Sequence, residues 1–324
     1  MYSFSKINTD YFCCNLLFIF LLESNERPAS LKKLPSDALH LFTDRTNTMA
    51  YCDIPKSASS TFRHTFCMSQ KRCRRLFIQN NLTPFTNIEE LNQVNKLNIV
   101  KFMFVRHPFE RLASAYNDKF VKNKNIPLFI PFDQRESKNK NIPYESKVDG
   151  TKVTVQEAYI SYIRSYQKRY MNITSTDTCL DDSSLNFKFY CFVEYVLDST
   201  RDEEKMADVF GQRKDCHWWP YTEMCRVCKI RYDFVGHIED FQDDVQLLLA
   251  KFPDNKDLLE LYKRKTKMNC TSNCEKTKND VYLKYFSQLR KTTILRLYQR
   301  YKHDFELGGY DFPDKYIAAG MADT

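Results

Sequence analysis

No glycine occurs before Gly150, and the whole 324-residue chain has only six. That absence constrains the first half of the chain more than any residue present in it. A Walker A loop or a G-x-G-x-x-G turn needs glycines for tight turns and for close approach of backbone to phosphate. Neither can exist before Gly150. Yet "YCDIPKSASSTFRH" (Tyr51 to His64) has the layout of an anion-binding loop. A strand is expected over about Tyr51 to Ile54, then Pro55, Lys56 and a cluster of small hydroxylated residues. A helix follows from about Ser59 to Arg72. The Lys56 ammonium, the hydroxyls of Ser57, Ser59, Ser60 and Thr61, and the open N–H groups of a helix N-terminus can hold an anion without glycine. The competing reading is an ordinary helix N-cap.

A second unit of the same kind follows. "NIVKFMFVR" (Asn98 to Arg106) is almost continuously apolar, as in a strand covered on both faces. "HPFERLASAYNDKF" (His107 to Phe120) opens a helix on Pro108, with Phe109, Leu112, Ala113, Tyr116 and Phe120 as its apolar stripe. Strand, loop and helix, twice over, predict an α/β fold with a central parallel sheet. Ligands of such sheets sit at the carboxyl ends of the strands. Arg106 ends the second strand, and Ser114 lies off the stripe of the following helix. A guanidinium can bind phosphate through two parallel hydrogen bonds. The competing reading pairs Arg106 with Glu110. Two strand-end anion sites on one sheet imply an extended ligand that is anionic at both ends.

The net charge of +8 suits such a ligand. No zinc-finger, helix-turn-helix or RNA-binding signature is present, so nucleic acid is not the expected partner. Residues 1–22 include "YFCCNLLFIFLL" (Tyr11 to Leu22), which is shorter than the roughly 20 residues of a spanning helix. It reads as a signal-peptide core or a short signal anchor. Residues 23–48 are polar, carry Pro28 and Pro35, and read as a stem or linker; residues 49–316 read as the functional domain. Twelve cysteines and the sequons at Asn81, Asn172 and Asn269 point to an oxidising, secretory compartment. Further along, Asn186–Asp198 has a mixed pattern. Lys229–Phe252 reads as a strand and a helix, and Val281–Phe305 as one or two helices.

"IPKSASSTF" followed by "FMFVRHPFERLASAY" resembles the paired motifs of Golgi carbohydrate sulfotransferases, in particular the membrane-bound family of chondroitin and dermatan 4-sulfating enzymes. "HWWPYTEMCRVCKIRYDFVGHIEDF" (His217 to Phe241) and "LRLYQRYKHDFELGGYDF" (Leu295 to Phe312) are similar to later blocks of that family. The resemblance covers about Met49 to Phe312. It implies a three-layer αβα fold of P-loop-NTPase type with a central parallel sheet. It also implies 3′-phosphoadenosine 5′-phosphosulfate as co-substrate, without a metal, and a glycan or proteoglycan acceptor. The location it implies is the Golgi lumen, as a type II membrane protein, or secretion if the N-terminus is cleaved. Lys56, Ser59, Ser60, Thr61 and Arg63 fall in the motif for the 5′-phosphosulfate, with Ser57 inside the same loop. Arg106 and Ser114 match the arginine and serine of the 3′-phosphate motif. Ser59, Thr61 and Phe62 stand where the family typically has cysteine, asparagine and tryptophan.

The expected mechanism is one in-line displacement, with Lys56 stabilising charge on the leaving bridging oxygen. His217, beside Trp218 and Trp219, has the right chemistry for the general base, with Glu110 as its rival. Cys225-Arg-Val-Cys228 fits half of a zinc site or a disulfide framework, and the luminal placement that the resemblance implies favours disulfides. Two other classes compete. A nucleotide kinase is disfavoured by the lack of glycine in either loop, and an inactive luminal glycan-binding relative by intact Lys56, Arg106 and Ser114.

Overall fold

The computed structural model describes residues 41–43, 48–68, 98–122, 187–198, 217–256 and 282–323, with single positions at 157, 160, 163, 179, 258, 259, 262 and 263. The sequons, the apolar segment Tyr11–Leu22 and most of the linker lie outside these residues. The chain divides into two compact units. The first comprises the described residues of Met1–Arg111, Trp219–Val281 and Tyr301–Phe312, and the second those of Leu112–Trp218, Tyr282–Arg300 and Pro313–Thr324.

The first unit is built on a four-stranded sheet in the order β1 (Leu41–Thr43), β2 (Met49–Cys52), β3 (Val100–Val105), β4 (Phe234–His237). β2, β3 and β4 are parallel, with Cys52 opposite Met103 and Val105 opposite His237. β1 pairs antiparallel to β2, with Leu41 opposite Cys52. The described sheet is therefore mixed rather than wholly parallel. Its antiparallel strand lies in the segment that reads as linker, where Leu41 and Phe42 form an apolar pair too short to show a period. β2 begins at Met49 and ends at Cys52, earlier than the expected Tyr51–Ile54, because Ile54 already belongs to the turn accepting the Ser57 N–H.

β3, one of the two inner strands of the described sheet, is suited to that place by its composition. Phe102, Met103, Phe104 and Val105 are fully buried, so both faces are covered. On one face Met49, Tyr51, Phe102 and Phe104 meet Phe62 of α1 (Ser59–Met68) and Phe241, Val245 and Leu248 of α5 (Phe241–Lys251). The Phe62 ring stacks on Tyr51 with centroids 4.3 Å apart and lies 4.9 Å from Phe104. Burying one such phenylalanine contributes about 2–3 kcal/mol, and its aromatic contacts about 0.5–1.5 kcal/mol more. Gly236 on β4 permits this packing, since a Cβ there would stand 2.6 Å from the Phe104 ring.

α2 (Pro108–Tyr116) starts on its proline as expected and passes into a π-helical turn, Asn117–Lys122. α4 (Tyr221–Met224) is a single turn, and α7 (Lys291–Gly308) ends at Gly309, whose φ of +61° is the usual left-handed helix stop. The second unit is aromatic throughout. α3 (Phe189–Asp198), read from sequence only as mixed, is a helix with seven buried residues, because its apolar residues are too dense to reveal a face. Its Phe192 meets Tyr116, Phe120 and Trp218. α6 (Leu283–Phe286) and α8 (Asp314–Ala319) complete this unit, where Phe286 packs edge-on to Tyr316 at 4.7 Å. Among the described residues no helix is long and apolar enough to cross a membrane.

Candidate active site

The carboxyl ends of β2, β3 and β4 open on the same side, since the three strands are parallel. At the end of β2 the chain turns through Pro55, Lys56, Ser57 and Ala58 into α1. The Ser57 N–H donates to the Ile54 carbonyl at 3.1 Å, which closes the turn. Lys56 and Ala58 both take left-handed backbone angles, φ +69° and +59°. Each costs an L-residue roughly 1–2 kcal/mol. The loop thus takes left-handed angles that glycine adopts freely, without a glycine, and carries the strain. The N–H groups of Thr61 and Phe62 donate to the Ala58 carbonyl at 2.9 and 3.1 Å. Those of Ser59 and Ser60 stand at the open end of the helix, where helix geometry supplies no acceptor. Ser57 is fully buried, and its hydroxyl has no hydrogen-bond partner among the described residues. Such a group costs about 1–3 kcal/mol unless something fills its bonding capacity. Lys56, Ser59 and Thr61 are half-buried and Ser60 is exposed. Arg63 lies on α1, and its side chain is outside the described ones.

At the end of β3, Arg106 is 7% exposed. Its Nη2 lies 3.6 Å from the Glu110 carboxylate, one turn into α2, so the pairing weighed from sequence is present. The next residue, His107, donates its backbone N–H to Glu239 at 2.9 Å, and Tyr310 donates its hydroxyl to the same carboxylate at 3.0 Å. The His107 ring sits edge-on among Phe109, Phe305 and Tyr310, a context its sequence neighbours do not announce. At β4, His237 hydrogen-bonds Asp244 and the Gly308 carbonyl; the Asp244 bond raises its pKa. The structure thus brings Lys56, Ser57, Ser59, Ser60, Thr61 and Arg106 to one sheet edge. Ser114 and His217 belong to the second unit, and both are half-buried. The His217 ring lies 6.4 Å from that of Trp218.

Cys225 is joined to Cys52, the last residue of β2, across 173 residues of sequence. It is therefore not a thiolate ligand for zinc. Cys228 is exposed, and a second disulfide joins Cys179 to Cys191. Among the described residues no cluster of His, Cys, Asp and Glu could hold a metal ion.

Two residues near this edge were not legible as site residues. Arg111 lies outside the apolar stripe of α2 but is 1% exposed. Asp304, near the end of α7, is fully buried, accepting from the N–H groups of Tyr221 and Thr222, both at 2.9 Å, and from the Thr222 hydroxyl at 2.7 Å. Burial pushes the Asp304 carboxyl up from 3.8 to about 6, against the Arg111 charge and these hydrogen bonds. Between those values the folded chain holds a proton that the unfolded chain has released. Lowering the pH through this window therefore favours the fold. The melting temperature of the wild type minus that of Asp304→Asn is expected to be larger at about pH 5 than at about pH 7. A difference that does not change with pH would remove Asp304 as the titrating group.

Residues 39–311 match the sulfotransferase family. The chain is 30% identical over 245 residues to carbohydrate sulfotransferase 10 of Gallus gallus, covering 73% of this chain and 54% of that protein. It is 27% identical over 292 residues to carbohydrate sulfotransferase 11 of Danio rerio, covering 86% of this chain and 69% of that protein. The match to the first of these thus spans about half of its length. No solved structure matches the chain.

Proposed function

Since the chain belongs to the sulfotransferase family, we propose that it transfers a sulfuryl group from 3′-phosphoadenosine 5′-phosphosulfate to a hydroxyl of a glycan. The observation that carries this reading is the β2–α1 loop. It combines the Lys56 side chain, a buried Ser57 hydroxyl with no protein partner among the described residues, and the open end of a ten-residue helix. An anion bound there would satisfy the Ser57 hydroxyl and complement the helix dipole. The names of its relatives, carbohydrate sulfotransferases, support the glycan acceptor.

In the reaction, the acceptor oxygen forms a bond to sulfur while the bond from sulfur to the bridging oxygen of the 5′-phosphate breaks. The acceptor proton passes to a base, for which we propose His217, and the 3′,5′-bisphosphate leaves. Lys56 meets the charge that appears on the bridging oxygen. Ser57, Ser59, Ser60, Thr61 and Arg63 serve the 5′ end of the donor, and Arg106 and Ser114 its 3′-phosphate. Arg106 then exchanges some of its pairing with Glu110 for the phosphate. Glu110 is buried and faces Arg106 at 3.6 Å, and this engagement supports the choice of His217 over its rival. The mixed α/β architecture is compatible with a three-layer, P-loop-like sulfotransferase fold. The disulfides fit the lumen of the Golgi, with Tyr11–Leu22 as signal anchor or cleaved signal.

The assignment of Arg106 and Ser114 has a direct test. Arg106→Ala and Ser114→Ala are each expected to weaken binding of the 3′,5′-bisphosphate roughly ten- to a hundredfold, the worth of a charged hydrogen bond of about 1.5–3 kcal/mol. Adenosine 5′-phosphate, which lacks the 3′-phosphate, is expected to bind the variants and the wild type alike. Equal losses for the two nucleotides in calorimetry would rule out the 3′-phosphate role.

A further inference from the structure

We propose that Arg111 is a positioning residue for sulfuryl transfer, because its guanidinium holds the backbone of the Lys56 loop against the Trp219–Met224 segment. The inference rests on the reading of that loop given above. Arg111 Nε donates to the Pro55 carbonyl at 3.0 Å, and Nη1 donates to the Trp219 carbonyl at 2.8 Å. Nη2 lies 3.9 Å from the Met224 sulfur, and the guanidinium carbon is 5.9 Å from the centre of the Tyr221 ring. Burying a guanidinium is costly until its partners offset the lost hydration. A leucine or methionine would fill the space without that cost. What neither could do is hold two carbonyls, 164 residues apart in sequence, to one rigid planar fork.

The carbonyl it holds matters because of the geometry of the peptide unit. The Pro55 carbonyl and the Lys56 N–H share one plane. Fixing that oxygen fixes the plane from which Lys56 departs into its left-handed conformation. Two residues on, the Tyr51 hydroxyl donates to the Ser57 carbonyl at 3.3 Å and fixes the plane that leads into Ala58. Lys56 and Ser57 lie between these two ties, and the strained φ angles of Lys56 and Ala58 lie at the ties themselves. A left-handed lysine relaxes to a commoner conformation unless its surroundings over-determine it. Asp304 holds the N–H groups of Tyr221 and Thr222, so the segment to which the loop is tied is itself anchored. The Cys52–Cys225 disulfide runs beside these ties, from the end of β2 to the end of α4.

The test is a double-mutant cycle read in kcat. Arg111→Lys keeps the charge and loses the fork; Tyr51→Phe keeps the ring and loses only the hydroxyl. Each is expected to lower kcat about 10- to 100-fold, with the affinity for the 3′,5′-bisphosphate changed less than about 3-fold. The double variant is expected to lose clearly less than the product of the two, because both act on one loop. Wild-type kcat per folded molecule in Arg111→Lys, or strictly multiplicative losses, would overturn the proposal. So would failure of both Arg111→Lys and Arg111→Gln to fold, which would assign the residue to stability alone. Lys56→Ala is measured alongside. If Lys56→Ala keeps full turnover, the loop reading itself fails. If it loses turnover while Arg111→Lys does not, only this inference fails.

Discussion

Lys56→Ala is expected to lower kcat by about 10²–10³ while changing the affinity for the 3′,5′-bisphosphate product far less. The expectation follows from where the lysine stands and when its charge matters. It leaves the carboxyl end of β2 in a left-handed turn, half-buried, beside the buried Ser57 hydroxyl and the start of α1. The ground-state donor already carries charge on its phosphate oxygens, which the helix end and the hydroxyls can meet. The bridging oxygen becomes fully negative only as its bond to sulfur breaks. A cation held there is therefore worth most in the transition state, and its removal falls on kcat rather than on product binding. Steady-state kinetics paired with calorimetry on the same preparation decide it. A variant whose kcat is unchanged, or whose loss is wholly a loss of nucleotide affinity, would remove Lys56 from the chemistry.

The second large effect is expected at His217. His217→Ala should reduce kcat by about 10²–10⁴ with nucleotide affinity nearly unchanged, the signature of a lost general base. The half-buried imidazole sits beside the buried Trp218, which itself packs on Phe192 and Tyr195, so its place in the second unit is well supported. Glu110→Gln is the control. Because Glu110 faces Arg106 at 3.6 Å, its loss is expected to act on nucleotide binding through the arginine. If His217→Ala keeps near-wild-type turnover while Glu110→Gln abolishes it, Glu110 is the base. If the wild type binds nucleotide and glycan yet moves no sulfate onto any acceptor, the reading as an enzyme fails, and a glycan-binding relative takes its place.

What the sequence disclosed about this site, and what it hid, divide along a physical line. Runs of apolar residues and a proline at a helix start are local signals, and they located β3, α2 and the loops at the ends of β2 and β3. The left-handed angles at Lys56 and Ala58 were hidden, because nothing in a lysine or an alanine announces φ above zero. Arg111 was hidden because its acceptors are backbone carbonyls at Pro55 and Trp219, and a carbonyl has no letter in a sequence. Asp304 was hidden for the same reason, its partners being mostly N–H groups. The antiparallel β1 escaped notice because three residues cannot display a period of two convincingly. The cysteines indicated that disulfides would form. No local rule could match Cys52 to a partner 173 residues away.

That long bridge also dictates an order of events during synthesis. Cys52 precedes Cys225 by 173 residues. At about 5–20 residues per second, roughly 10–35 s of translation separates the two thiols. Cys179 and Cys191, only 12 residues apart, are made within about 0.6–2.4 s of each other on the same clock. Throughout the interval Cys52 has no Cys225 to pair with, while Cys67, Cys73, Cys179, Cys191 and Cys216 are all synthesised before its true partner. Early oxidation would therefore tend to capture the wrong pair. Maturation of this chain calls for a period of restraint or for reshuffling by thiol exchange. The yield of correctly joined protein thus becomes a matter of the oxidising machinery of the host as much as of the stability of the finished fold.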